Sequence, residues 1–207
     1  MARPRKVTDQ QLDKTARQCI LEFGPQVSTK VIAERVGISQ PAVLKRFGSK
    51  RKLIIRALCP DGPPPWFEKL EEGPDLSSAI RPQLTAILVE AMDFFADLAP
   101  RLIMLRASGI ELAEVFPTNQ EAPPMQIRRL LAEWLSEVGE AENRDDVDYR
   151  AVSDTLLDAI EGRMFLAEIG GERFVEGHQD TDIERLLDVC WEALSPDSKR
   201  IDQGVSG

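Results

Sequence analysis

Residues 28–50 read STKVIAERVGISQPAVLKRFGSK, and the spacing of apolar residues in this stretch decides the fold. Val31, Ile32 and Val36 recur at helical intervals, with Ala33 small where two helices would approach closely. Gly37 falls where a tight turn needs a residue tolerant of positive φ, and Ile38 follows as an apolar plug. Ser39 is placed to N-cap a second helix. Pro41 is tolerated in the first turn of that helix, where a missing N–H has no intrahelical partner to lose. Val43, Leu44 and Phe47 mark its apolar side, leaving Gln40, Lys45 and Arg46 to point outward. The pattern predicts a helix-turn-helix with a polar, cationic reading face.

Charge points the same way. Residues 1–59 hold 13 Lys and Arg against four acids (Asp9, Asp13, Glu22 and Glu34), a balance of +9. The whole chain has 26 basic and 35 acidic residues, so positions 60–207 keep 13 and 31, a balance of −18. A basic head is joined to an acidic body, and the net charge of −9 conceals the division. At physiological salt, charges separated by more than about 8 Å are largely screened. A body standing clear of a duplex therefore leaves binding by the head intact and discourages binding in the wrong orientation.

Outward from this head, the chain reads as all-helical. Thr8 opens a capping box with Gln11, and Leu12, Ala16, Cys19, Ile20 and Phe23 follow at helical spacing until Gly24-Pro25. Gly48-Ser49 leads into a fourth helix from Lys50 to about Cys59. The Pro-rich run at 60–65 then ends it and sets a domain boundary. Further helices are expected over 78–98, 101–109, 125–138, 146–168 and 181–194, with a break at Ala99-Pro100 and a loop over 111–124. The domains are thus 1–59, with a basic N-terminal arm, then 60–195, then a disordered tail over 196–207. No alternating Val-, Ile- or Thr-rich segment suggests a sheet, and no apolar run is long enough for a membrane span. The N-terminus lacks the apolar stretch of a secretory signal. Cys19, Cys59 and Cys190 are widely spaced and form no CxxC pair, which suits reduced thiols in the cytoplasm.

Residues 8–58 resemble the tetracycline-repressor (TetR) family of bacterial transcription regulators. The likeness runs through Phe23-Gly24, Thr29, Ile32-Ala33, Val36-Gly37-Ile38-Ser39, Phe47, Ser49-Lys50 and Leu53. It implies a three-helix helix-turn-helix DNA-binding domain followed by a helical ligand-binding and dimerisation domain. The function implied is that of a homodimeric repressor of a palindromic operator, responsive to a small-molecule effector. In that resemblance Thr29 caps the second helix and meets a phosphate, and Lys50 meets another. Gln40, Pro41, Ala42 and Lys45 fall where the recognition helix reaches bases and adjacent backbone. The expected DNA-facing set is therefore Thr29, Ser39, Gln40, Pro41, Ala42, Lys45, Arg46 and Lys50, with Arg3, Arg5 and Lys6 of the arm reaching a minor groove or the backbone. Two positions depart from the family pattern. Leu44 stands where the family usually has a tyrosine, which removes a phosphate hydrogen bond that Lys45 or Arg46 would have to replace. Pro41 stands where glycine or another small residue is common.

In the body, the last two helices carry stripes suited to a dimeric four-helix bundle: Leu156, Ile160 and Arg163 on one, Ile183, Leu187 and Trp191 on the other. Gly162 would permit close approach. The alternative is that these stripes pack within one subunit. Met92, Phe95, Met104, Phe116, Met125, Trp134 and Phe165 are large, adaptable side chains of the kind that line effector pockets. His178 is the sole histidine, and no Gly-rich phosphate loop, HExxH or GxSxG occurs, so neither an enzyme nor a metal or cofactor site is expected. The competing reading is a helical dimer of the same fold that acts through a protein partner instead of DNA.

Overall fold

In a computed structural model of the chain the described residues are 7–59, 62–64, 66–115, 123–144, 146–170 and 181–194. Among them there is no strand, and ten helices follow in order: α1 (Asp9–Phe23), α2 (Thr29–Val36), α3 (Gln40–Phe47), α4 (Lys50–Leu58), α5 (Trp66–Glu71), α6 (Ile80–Ala107), α7 (Leu112–Val115), α8 (Pro123–Ala141), α9 (Tyr149–Gly170) and α10 (Thr181–Leu194). The chain forms two compact units. The first comprises Met1–Asp61 and Leu98–Gln120; the second comprises Gly62–Asp97 and Glu121–Gly207.

Short capping motifs set the helices of the first unit. Thr8 and Gln11 form the full reciprocal capping box, the Thr8 Oγ1 accepting from the Gln11 N–H at 3.1 Å and Gln11 Oε1 from the Thr8 N–H at 3.0 Å. Gly37, at φ 83° and ψ 32°, closes α2 in the left-handed conformation, and its N–H donates to the Ala33 carbonyl. The Ile38 N–H donates to that same carbonyl at 3.0 Å, which turns the chain sharply into α3. The core joins Leu12, Ala16, Cys19 and Ile20 of α1 to Ile32 and Ala33 of α2, Val43 and Phe47 of α3, and Leu53, Ile54, Ala57 and Leu58 of α4. Leu105 and Ile110, from the end of α6 and the turn after it, complete this core. The Arg17 Nε donates to the Ala57 carbonyl at 2.7 Å, and the Arg56 Nε donates to Asp13 at 3.0 Å; both contacts tie α1 to α4.

The second unit has its own core, in which Trp66, Leu84, Leu88, Ile127, Trp134, Leu156, Leu157 and Leu187 are each no more than 2% exposed. Trp66 meets Phe94 edge to face at 6.2 Å. Across the α8–α9 contact, Arg128 is buried and donates to Asp158 at 2.7 Å and Glu161 at 2.9 Å, while the Ser153 hydroxyl donates to the Arg128 carbonyl at 2.8 Å. Arg81 of α6 pairs with Glu184 and Asp188 of α10 and lies over the Trp191 ring. Gly139 is required by packing: a Cβ there would lie 1.7 Å from the Tyr149 hydroxyl oxygen.

One expected break is absent. Helix α6 continues through Pro100, so the two helices anticipated over 78–98 and 101–109 are one of 28 residues. An internal proline removes one helical hydrogen bond and crowds the preceding turn. Leu98 and Leu105, one on either side of it, are both buried, and the packing of these flanks holds the helix through the defect. The short helices α5 and α7 lie where no helix was expected.

Candidate DNA interface

The candidate surface of the first unit is built on the N-terminal turns of α2, α3 and α4. Each is capped by a serine: Ser28 accepts from the Val31 N–H, Ser39 from the Ala42 N–H, and Ser49 from the Lys52 N–H. This corrects one expectation. Ser28 caps α2, whereas Thr29 is the first residue inside the helix, buried at 7% exposure. Adjacent hydroxyl residues compete for a cap, and the one with extended backbone takes it; Ser28 has φ −79° and ψ 148°. The Thr29 hydroxyl is engaged instead by the Gln40 side chain, whose Nε2 donates to it at 2.8 Å.

Along α3, Gln40, Pro41, Lys45 and Arg46 are exposed, Ala42 and Leu44 half-buried, and Val43 and Phe47 buried. The two cations do different things. Arg46 donates to the Val7 carbonyl at 2.9 Å and pairs with Asp9 at 3.4 Å, which fastens the recognition helix to the segment leading into α1. Lys45 has no ion pair among the described residues and projects its ammonium from the exposed side of the helix. Lys50 is half-buried and lines a hollow of about 190 Å³ with Pro25, Gln26, Arg51, Ile54, Ser108 and Ile110. Arg51 is not available to a ligand, since both carboxylate oxygens of Glu114 and the Gly109 carbonyl accept from it. The Arg51 guanidinium holds the Glu114 carboxyl below its ordinary range. Arg3, Arg5 and Lys6 lie outside the described residues.

Three interactions here escape sequence reading: Gln40 to Thr29, Arg46 to Val7, and Arg51 to Glu114. The first two link positions 11 and 39 residues apart, the third 63 apart, so no local periodicity signals them. The same holds for Arg17 and Arg56, whose cross-links between α1 and α4 span 40 and 43 residues.

In the second unit the expected sites are scattered. Leu156, Ile160, Ile183 and Leu187 are at most 3% exposed within the single chain, so they are core and have no surface to offer a second copy. Arg163 and Trp191 are half-buried. Of the expected pocket residues, Trp134 and Phe95 are buried, Met92 is half-buried, and Met125 and Phe165 are exposed. Met104 packs against the core of the first unit, because the end of α6 belongs there. Phe116 lies outside the described residues. A second hollow of the first unit, of about 470 Å³ between α1 and α2, is lined in part by Lys14, Gln18 and Arg35, and neither hollow contains any of the seven.

The first unit, with its capped α2–turn–α3 and exposed cationic side, is a helix-turn-helix DNA-binding domain. Residues 14–57 match the model of the tetR family of bacterial regulatory proteins. Over that stretch, which runs from α1 to α4, the chain is similar to the regulators of this family. No curated protein sequence matches. Among solved structures the chain is similar to the fatty acid degradation regulator FadR from Bacillus halodurans, with a TM-score of 0.59 and 18% identity over 91% of this chain and 99% of that one. It is also similar to a structure described as a molecular basis for control of antibiotic production by bacterial hormones (TM-score 0.53, 21% identity, 89% of this chain and 94% of that one). Salmonella enterica GusR gives a TM-score of 0.51 and 19% identity over 89% of this chain and 98% of that one. At these identities the likeness is one of fold. Among the described residues no group of three or more His, Cys, Asp or Glu is arranged to hold a metal, and no helix is long and apolar enough to cross a membrane.

Proposed function

We propose that the chain is a homodimeric transcriptional repressor whose affinity for a palindromic operator is changed by a small-molecule effector bound in the second unit. The observation that carries this reading is the exposed side of α3, with Gln40, Pro41 and Lys45 on a capped helix, within a head whose charge balance over residues 1–59 is +9. In the proposed complex α3 lies in the major groove and Lys45 and Lys50 meet bases or phosphates. Arg46 of the recognition helix anchors Val7, the residue that follows the basic arm in sequence. The free thiols Cys19, Cys59 and Cys190 suit action in the cytoplasm, and no catalytic step is assigned to the chain.

Dimerisation is assigned to the outward side of α9 and α10 instead of the stripes that form the core. Phe165, Leu166 and Ile169 of α9 are 51%, 49% and 60% exposed and fall at helical spacing with Gly162. A Cβ at Gly162 would meet nothing within 4 Å, so a partner helix can approach closely there. Val189 of α10 is 76% exposed. A second copy covering these side chains would remove an apolar surface that a monomer leaves in water.

Selection from random duplexes by the purified full-length chain, followed by a salt titration on the enriched sequence, tests the reading. The expected result is a palindromic consensus bound by two copies, with affinity that falls steeply as salt rises. Lys45→Ala weakens that binding, and if Lys45 meets a phosphate the salt slope falls by about one. A pool with no enriched sequence overturns the repressor reading and makes the protein-partner alternative the leading one.

A further inference from the structure

The first unit uses its cations in two ways, divided by residue type. Among residues 7–59 the arginines are Arg17, Arg35, Arg46, Arg51 and Arg56, and the protein itself engages every one. Arg17 donates to the Ala57 carbonyl, Arg35 to both carboxylate oxygens of Glu22, and Arg56 to Asp13. Arg46 is held by Val7 and Asp9, and Arg51 by Glu114. Three of the four acids in this stretch thus face arginines. The fourth, Glu34, lies 3.9 Å from Lys30 in an exposed pair, a kind that contributes little. The lysines differ. Lys14, Lys45, Lys50 and Lys52 have no ion pair among the described residues, and all but the half-buried Lys50 are exposed. Lys45 stands in the last turn of α3, and Lys50 and Lys52 stand in the first turn of α4. A Cβ at Gly48 would lie 3.9 Å from the Lys52 Cδ, so the stem of Lys52 runs beside the C-terminal end of α3. Three lysines therefore surround the corner between α3 and α4. Lys14 instead lines the hollow between α1 and α2.

The chemistry of the two groups explains the division. A guanidinium is a planar, weakly hydrated fork that matches carboxylates and carbonyls, whereas an ammonium is a strongly hydrated point charge on a flexible stem. Salt-dependent binding to DNA comes from cations that displace counterions from phosphates. An arginine already bonded to a carboxylate must break that bond first; an unpaired lysine has nothing to break. Resting on the reading that α3 enters the major groove, we propose that the phosphate contacts of the described head are made by lysines. Lys52 is one of them, beside Lys45 and Lys50, and Arg46 is a strut with no contact to DNA. The helix-turn-helix pattern alone singles out Arg46 and passes over Lys52; the engagement of the one and the freedom of the other reverse that order. A phosphate contact strengthens binding to every duplex alike. Lys52 therefore sets affinity and its salt dependence, and leaves sequence preference to other residues.

The test measures binding of the full chain to the enriched duplex and to a random-sequence duplex of the same length, each across a series of salt concentrations. Wild type, Lys52→Gln, Arg46→Gln and Lys14→Gln are compared, and each variant removes one positive charge per copy. Melting by circular dichroism shows that each is folded. Lys52→Gln is expected to weaken binding to both duplexes by the same severalfold factor. It lowers the slope of log K against log salt by about one for each copy bound, and leaves the melting temperature unchanged. Arg46→Gln lowers the melting temperature and keeps the wild-type slope, since no counterion release is lost with it. Lys14→Gln keeps the slope as well, which separates a contact at the corner from a general loss of charge. A wild-type slope in Lys52→Gln overturns the contact assigned to that residue. A slope lowered by Arg46→Gln as much as by Lys52→Gln overturns the strut. An equal loss in Lys14→Gln overturns the lysine corner in favour of net charge. Because these slopes can be read on any duplex that binds, a chain that enriches no sequence still decides them, separately from the operator reading. A chain that binds no duplex at any salt overturns the DNA reading and this inference together.

Discussion

The two units of the chain are both helical, yet they are put together by different means. In the first, four successive helices begin at hydroxyl caps (Thr8, Ser28, Ser39 and Ser49), and glycines at positive φ follow α1, α2 and α3. Their signals lie within three or four residues of the structure they specify. In the second, the decisive contacts cross between helices: Arg128 of α8 to Asp158 and Glu161 of α9, Arg81 of α6 to Asp188 of α10, and Tyr149 seated over Gly139. The difference suits the work of each part. A surface that must present Gln40 and Lys45 in fixed register gains from short, capped helices. Under the proposed function the body admits a ligand, and packing of this kind can change in detail without changing the helices.

The sharpest way to break this comparison is to insert one methyl group into each kind of structure. Gly139→Ala puts a Cβ on the Tyr149 ring and hydroxyl, which donates to the Arg144 carbonyl at 2.9 Å. The ring must move, and overpacking of this kind costs about 1–3 kcal/mol. Urea unfolding followed by circular dichroism would show it, and Gly139→Ala combined with Tyr149→Ala should be strongly non-additive. At Gly162, where nothing lies within 4 Å, the same substitution should leave the unfolding of a monomer unharmed. Equal losses at both glycines would mean that packing across α8 and α9 is looser than these contacts imply.

A smaller effect is expected from the local kind of signal. Ser39→Ala removes the acceptor for the Ala42 N–H and should cost about 1 kcal/mol, within the ordinary range for an N-cap. Because this cap starts the recognition helix, affinity for the selected duplex should fall along with the melting temperature. Ser39→Asp should restore stability, since aspartate caps equally well, while its charge weakens DNA binding. If Ser39→Ala leaves both unchanged, Pro41 and the Gly37 turn are sufficient to start the helix.

How much of this could be read beforehand follows the same division. The Thr8–Gln11 box and the Gly37 turn are legible because the determining residues are neighbours in sequence. Thr29 and Ser28 could not be told apart as caps, since either hydroxyl suits the position and only backbone conformation separates them. The Ala99-Pro100 break failed because a local penalty was outweighed by the burial of Leu98 and Leu105, and burial is not a local property. The stripes of α9 and α10 were read as apolar, which they are. Periodicity does not say whether the partner of Leu156 or Leu187 lies in the same chain or in another. On the exposed side of α3 the division between Arg46, held at Val7, and Lys45, without an ion pair among the described residues, is not legible in sequence.

The smallest predicted effect tests whether burial or ion pairing governs the α8–α9 contact. Glu161 accepts from Arg128 at 2.9 Å through one oxygen, while its other oxygen is buried without a hydrogen bond. Burial pushes its carboxyl above the ordinary range, and the Arg128 charge opposes this without cancelling it. Arg128 is also desolvated, but with Asp154, Asp158 and Glu161 around it the charged form is favoured, so Glu161 bears the unrelieved cost. A carboxyl whose folded pKa is raised binds its proton more tightly in the folded chain than in the unfolded one. Its contribution to stability is therefore complete below the ordinary carboxylate pKa and is lost as pH rises through the raised value. Glu161→Gln stays neutral throughout. Its melting temperature relative to wild type should accordingly climb as pH rises across that window and then level off. The carboxyls held low by arginines, Glu22 and Glu114 among them, lose their contribution as pH falls, in both proteins alike, so the difference between the two isolates Glu161. A relative melting temperature that instead declines as pH rises would mean that the bond to Arg128 outweighs burial, and that this contact of the second unit is held by charge.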